Sequence, residues 1–232
     1  MPKAHQAHVA SIIPFSWVDG PGNRFVLFLQ GCNFNCLACH NPQTIPLHTP
    51  RARTLDVPEV LDEIRSAMPY ISGVTVSGGE ATVQHEYVLK LFKEIKTLRE
   101  FSHLSTFIDS NGNTPEAIWD SLAPFTDGVM LDLKALDNEV HIALTGSSNT
   151  VVLESIKFLN SINKLFEVRL LLVPGQNDSD EELIKIAAWL KGINPQMKIK
   201  INAFKPHGVR ATAREWPEVN QDDLLRYHSI ID

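Results

Sequence analysis

All three cysteines of the chain fall within eight residues, Cys32-Asn33-Phe34-Asn35-Cys36-Leu37-Ala38-Cys39. The C-x3-C-x2-C spacing lets three thiolates converge from one loop onto a single inorganic centre. Closed structural sites, zinc or iron–sulfur, take four protein ligands. With three, one coordination position stays open, and an open metal position is where chemistry happens. The bland alternative is a structural zinc held by these cysteines and His40. His40 is adjacent to Cys39, which makes shared ligation difficult, and no second cysteine pair exists to complete a knuckle.

Further chemistry-bearing residues stand where apolar runs end. One run closes in Ser77-Gly78-Gly79-Glu80. Paired glycines permit close backbone approach to a ligand, and a glutamate there accepts bonds from an ammonium group. The ordinary reading is a turn with a solvated glutamate. Others close in Asp109-Ser110-Asn111-Gly112 and Met130-Leu131-Asp132-Leu133-Lys134, polar groups just past buried runs. For Lys134 the ordinary reading is a rim ion pair of little consequence. Arg169 stands among apolar neighbours, which calls for an anionic partner in the protein or in a ligand. Late in the chain comes Lys205-Pro206-His207-Gly208, whose histidine is structural or functional on these grounds alone.

These residues need elements to carry them. Six runs, 24–29, 73–77, 104–109, 128–133, 167–173 and 198–204, are nearly continuous in apolar residues, as parallel strands covered on both faces are. Helical periods lie between them. Asp56 caps a helix with Val60, Leu61, Ile64 and Met68 on one face. Ser179 or Asp178 caps another carrying Leu183, Ile186, Ala187 and Leu190, with Glu181 and Glu182 in its first turn, where negative charge suits the helix dipole. Segments 87–98, 115–122 and 151–160 fill the other crossovers, and 221–232 reads as a final helix that stops abruptly, a shortened C-terminus. Strand and helix alternate without repeats or linkers, which predicts an α/β fold: one domain over 1–232 built as an incomplete (β/α)6 parallel barrel. Chemistry in such barrels gathers at the C-terminal ends of the strands.

Composition narrows the function classes. Of the 232 residues, 44% are hydrophobic and 21% charged, ordinary for a globular chain that buries a core. A net charge of −6 gives no electrostatic case for nucleic acid or an anionic membrane. No apolar run approaches the length of a bilayer span, and Met1–His5 lead into no signal-peptide hydrophobic stretch. Clustered cysteines without a disulfide framework fit a reducing cytoplasm.

The cysteine loop resembles that of the radical S-adenosylmethionine (SAM) superfamily. The wider series VDGPG (18–22), GCNFNCLACHNP (31–42), SGGE (77–80), DSNG (109–112), MLDLK (130–134), VPG (173–175) and His207 resembles the activating enzymes of glycyl radical enzymes. Pyruvate formate-lyase activases are the best-known type. VDGPGNRFVLFLQGCNF and TVSGGEAT are similar to the YjjW-type branch.

The resemblance implies an anaerobic oxidoreductase with a [4Fe-4S] cluster on Cys32, Cys36 and Cys39 and SAM on the open iron. Reductive cleavage of SAM would give a 5′-deoxyadenosyl species that removes the α-hydrogen of a glycine in a partner enzyme. It implies SAM contacts from Ala38, His40, Asn41, Gly78, Gly79 and Glu80, and a monovalent cation near Asp109, Ser110, Met130 and Asp132. Asp132, Lys134, Arg169 and His207 match positions lining SAM and the peptide substrate, and Asp19 matches an aspartate near the barrel's open face. Partners implied are a glycyl radical enzyme and a flavodoxin or ferredoxin as electron donor.

There are departures. Ala38 stands where an aromatic residue is common, and Ala81 follows GGE where proline is common. The segment NPQTIPLHTPRART (41–54) lacks the ferredoxin-like, cysteine-bearing insert of many activases. Two alternatives remain at this point: a radical SAM enzyme acting on a small molecule, such as a 7-deazaguanine precursor synthase, and a non-catalytic iron–sulfur or zinc scaffold.

Overall fold

The six apolar runs are all strands in the computed structural model, which describes residues 6–232. Two further strands precede and follow the cysteine loop. They are β1 (Gln6–Ser16) and β3 (Arg53–Asp56), so the parallel set becomes β2 (Arg24–Leu29), β4 (Gly73–Gly78), β5 (Ser105–Ser110), β6 (Gly128–Leu133), β7 (Leu165–Leu172) and β8 (Ile199–Ala203). The chain divides into two units. The first comprises 6–33, Gln43–Ser110 and Thr114–Met130; the second comprises Phe34–Pro42, Asn111–Asn113 and Leu131–Asp232. Strand β6 runs out of the first and into the second.

In the first unit the strand order is β3-β1-β2-β4-β5. Strands β2, β4 and β5 are parallel, with Leu29 opposite Gly78 and Val76 opposite Ile108. All of β2 is buried except Phe28, which is half-buried, as expected of a strand covered on both faces. Strand β1 lies antiparallel to β2, and β3 antiparallel to β1 at a free edge, so this sheet is open. The stretch that lacks an insert leads directly into that edge strand.

Helix α1 (Val57–Ala67) follows. Asp56 caps it through a capping box with Glu59, and Val57, Val60, Leu61, Ile64 and Ala67 face the core. Met68, expected on that face, lies outside α1, where a 3-10 turn begins. Helices α2 (His85–Thr97) and α3 (Glu116–Leu122) complete the crossovers of this unit.

The second unit carries α4 (Asn138–Thr145), α5 (Thr150–Ser161), α6 (Asp180–Ile193), a short α7 (Ala211–Arg214) and α8 (Gln221–Ile231), with β7 and β8 paired in parallel. Ser179, not Asp178, caps α6; Asp178 instead accepts bonds from Tyr227 and Arg226 of α8. Helix α4 has no counterpart in the sequence reading. Its apolar period is weak, but Asp137 accepts bonds from the Glu139 and Val140 N–H groups, and Gly146 ends it in the left-handed conformation. Those start and stop signals are what the sequence offered for finding it. No described helix is long and apolar enough to cross a membrane.

Candidate functional site

In the first unit, the turn after β4 is built on the chain leaving β2. The Gly79 and Glu80 N–H groups donate to the carbonyls of Leu29 (2.9 Å) and Gly31 (2.8 Å). Gly31 and Cys32 in turn donate to Thr44 and Ile45. A Cβ on Gly78, at φ +130°, would stand 2.1 Å from the Leu29 oxygen; one on Gly79 would stand 2.3 Å from the Gly31 oxygen. The paired glycines therefore serve an approach of backbone to backbone. They fix the stem of the cysteine loop, whatever ligand they also meet.

Glu80 is not a solvated turn residue. Its side chain is 1% exposed. Oε1 accepts from the Thr82 N–H (3.0 Å), the Thr82 hydroxyl (2.7 Å) and the Ser110 hydroxyl (2.8 Å). The ends of β4 and β5 are thus joined through one carboxylate, and Ser77 donates to Asp109 Oδ2 (2.8 Å) beside it. Met130 is fully buried. Asp19 belongs to the loop before β2. Its carboxylate accepts from Ser16, and its carbonyl accepts from the Thr75 hydroxyl (2.8 Å), level with Val26 in the sheet register. The loop therefore folds back along β2, and Asp19 stands short of the strand's C-terminal end.

A residue the sequence reading passed over supports that loop. Arg24 is fully buried without a carboxylate on its guanidinium. It donates to the Thr75 hydroxyl (3.0 Å), the Val74 carbonyl (2.6 Å) and Ser105, and stacks over Phe107. Burial brings its pKa down to about 10, against a small opposing pull from Asp127.

In the second unit, the cysteine loop has no regular structure of its own and is held from outside. The Asn35 N–H donates to the Thr145 carbonyl and the Leu37 N–H to the Leu144 carbonyl, both at 2.9 Å. The last turn of α4 therefore grips the chain on either side of Cys36. Phe34 is 2% exposed, and its ring packs T-shaped against that of His141. From the other end of the sequence, the segment after β8 reaches the same loop. Arg210 donates to Asn35 Oδ1, His40 Nε2 lies 2.9 Å from the Lys205 carbonyl, and the His40 ring stacks on Phe204. His40, Asn41 and His207 are exposed and Ala38 is buried.

The three cysteines form no disulfide and are half-buried. Burial pushes the Cys36 thiol up; Lys134 opposes this, while Cys39 and Asp132 add to it. Lys134 Nζ donates to Asp132 Oδ2 at 2.7 Å, the rim ion pair of the ordinary reading, so a cation and an anion stand in the electrostatic field of the thiols. A soft donor set of three thiols, with the Lys134 ammonium in the field of Cys36, fits an anionic iron–sulfur cluster.

The backbone after Lys134 is pinned by three side chains, of which the sequence singled out only Glu182. Asn177 Nδ2 donates to the Lys134 carbonyl (2.6 Å), Asn149 Nδ2 to Leu136 O (2.7 Å), and Glu182 Oε1 accepts from the Leu136 and Asp137 N–H groups. Glu182, expected only as a dipole partner in the first turn of α6, is an anchor for this loop. Arg169 has the anionic partner its surroundings require: Nε donates to Glu167 Oε1 at 2.7 Å, with both side chains largely buried.

The family description "Radical SAM superfamily" matches residues 26–187. The pyruvate formate-lyase-activating enzyme of Staphylococcus epidermidis is 37% identical over 210 residues, which is 88% of this chain and 83% of the relative. Its Staphylococcus aureus counterpart is 36% identical over the same shares. Among solved structures, a domain of a pyruvate-formate lyase-activating enzyme from Bacteroides vulgatus is similar in fold, with a TM-score of 0.57 at 18% identity over 69% of this chain and 92% of that one. Streptococcus suis SuiB, solved bound to S-adenosylmethionine, has a TM-score of 0.65 at 17% identity over 86% of this chain and 44% of that one. With the cysteine loop, the glycine–glutamate turn and the parallel strands that bear them, these matches identify the chain as a member of the radical SAM superfamily, in the family of the pyruvate formate-lyase-activating enzymes.

Proposed function

We propose that this protein activates a glycyl radical enzyme, using a [4Fe-4S] cluster on Cys32, Cys36 and Cys39 with SAM at the iron left open. The observation that carries the reading is the loop itself: three half-buried cysteines, none in a disulfide, within eight residues of a chain of this family. When bound, the cluster and SAM supply the reductive cleavage whose product removes the α-hydrogen of one glycine in the partner. The cofactors do that chemistry, and the protein orients them and limits water.

The chain's own residues divide that work. Gly78, Gly79 and Glu80 offer a rigid turn for the methionyl end of SAM, with Ala38, His40 and Asn41 beside the cluster. Asp109, Ser110, Met130 and Asp132 would surround a monovalent cation, with oxygen atoms as its donors. Asp132, Lys134, Arg169 and His207 line the path of the partner's glycine loop. Each charged group among Asp132, Lys134 and Arg169 already has a fixed partner, so little reorganisation accompanies binding. A flavodoxin or ferredoxin supplies the electron, and cysteines without a disulfide fit a reducing cytoplasm. Family membership favours this reading over a small-molecule radical SAM reaction or an inert scaffold.

The test is anaerobic reconstitution with iron and sulfide, then electron paramagnetic resonance of the dithionite-reduced protein with and without SAM. A [4Fe-4S]+ signal that changes on adding SAM is expected, followed by a glycyl radical signal when a glycyl radical enzyme is added. A protein that takes up zinc instead, or a cluster indifferent to SAM, refutes the proposal.

A further inference from the structure

Among the described residues, one buried side-chain polar atom lacks a hydrogen-bond partner: Nε2 of His141. The residue is fully buried in α4. Its Nδ1 lies 2.8 Å from the Ser147 carbonyl. That oxygen can only accept, so Nδ1 carries the proton. Burial, with Lys134 adding to it, keeps the ring neutral against the pull of that carbonyl. Nε2 is then a bare acceptor facing no donor, which is unfavourable relative to a residue without it. A leucine would pack in this place without that cost. Selection of the imidazole needs a reason in what the other nitrogen does.

Ser147 closes the end of α4 beyond Gly146. Thr145 reinforces the closure: its hydroxyl lies 2.8 Å from the His141 carbonyl and accepts from the Ser147 N–H at 3.1 Å. The carbonyls of Leu144 and Thr145 at this end hold the N–H groups of Leu37 and Asn35. The ring edge of His141 also packs on Phe34, two residues before Cys36, with centroids 5.4 Å apart. His141 thus meets the cysteine loop by two routes, one through the helix end and one through the phenylalanine.

We propose that His141 is a positioning residue for the cluster ligand Cys36, fixing the C-terminal turn of α4 through its Nδ1–H bond to Ser147. This rests on the assignment of Cys36 as a ligand, but its first test does not. In the cluster-free full chain, amide hydrogen exchange at Asn35 and Leu37 reads the grip directly. His141→Leu raises exchange at both amides by about tenfold or more, while the Gly79 and Glu80 amides keep their rates. His141→Asn, whose Nδ2–H takes the place of Nδ1–H, keeps exchange near the wild-type rate. After reconstitution, His141→Leu loses iron to a chelator about tenfold faster than wild type, and His141→Asn does not.

Unchanged exchange at Asn35 and Leu37 in His141→Leu overturns the proposal, as does acceleration in His141→Asn equal to that in His141→Leu. Should His141→Leu fail to fold, His141→Asn is compared with His141→Gln, whose donor stands near the Nε2 position. Protection retained by Gln and lost by Asn overturns it equally. Failure of the activase reading shows separately, as a wild-type cluster indifferent to SAM, and leaves the exchange result standing.

Discussion

The glycine–glutamate turn after β4 and the cysteine loop after β2 carry the residues of greatest chemical consequence, and they are held in opposite ways. The turn is braced by its immediate surroundings. Its backbone lies on the stem leaving β2 so closely that no side chain fits, and its glutamate ties together neighbouring strand ends. From Cys36 onward the loop is braced by distant parts of the sequence: the end of α4 about a hundred residues on, and the segment 205–210 still later. A turn held by backbone against backbone is fixed as soon as the sheet forms. A loop held by helix-end carbonyls and side chains depends on elements that fold elsewhere, and it can yield locally. Cys36 and Cys39 sit on the more yielding of the two.

The largest expected effect tests the loop. Cys36→Ala abolishes cluster retention and SAM cleavage, measured as iron content and methionine release, while circular dichroism shows the fold kept. Normal turnover in this variant would remove the cysteine from the site.

Next comes the rigidity of the turn. In Gly78→Ala a Cβ would meet Leu29 backbone atoms at 2.1 and 2.3 Å, at a φ that side chains rarely adopt. A loss of about 3 kcal/mol or failure to fold is expected in chemical denaturation. A variant as stable as wild type would mean that the turn yields as readily as the loop.

Glu80→Ala separates structure from ligand binding in the turn. Removing the acceptor strands the Thr82 and Ser110 donors, at a cost of about 1–3 kcal/mol. SAM affinity by calorimetry falls further than cluster content does. If affinity is unchanged, the carboxylate is purely a brace.

The smallest effect is expected at Gly208, where φ is +77° and a Cβ would stand 2.7 Å from the His40 carbonyl. Gly208→Ala costs about 1–2 kcal/mol, because the loop it presses on gives way. Its signature is faster iron loss with little change in the SAM affinity of the protein that retains its cluster. An effect as large as that of Gly78→Ala would erase the contrast between the two regions.

Most of the parallel strands were legible because burial on both faces leaves a nearly unbroken apolar run, as in Phe25-Val26-Leu27-Phe28-Leu29. Strands β1 and β3 escaped notice for physical reasons. Strand β1 mixes exposed, half-buried and buried positions and contains Pro14, and β3 is four residues at an edge. Helix α4 was missed because its apolar stripe is weak, although Asp137 and Gly146 marked its ends.

By itself, the sequence determined the donor chemistry: three thiols at C-x3-C-x2-C, a Gly-Gly-Glu turn after an apolar run, and polar residues at strand ends. These are local facts, set by residue type and spacing along one segment. The tertiary structure alone decided what holds them. It gave Glu80 three protein donors instead of solvent and brought the end of α4, with His141 behind it, against the cysteine loop on either side of Cys36. Ser110 lies 30 residues from Glu80, and Thr145 more than a hundred from Asn35. Nothing in the local pattern announces them, because a hydrogen bond between distant segments depends on where the whole chain has folded.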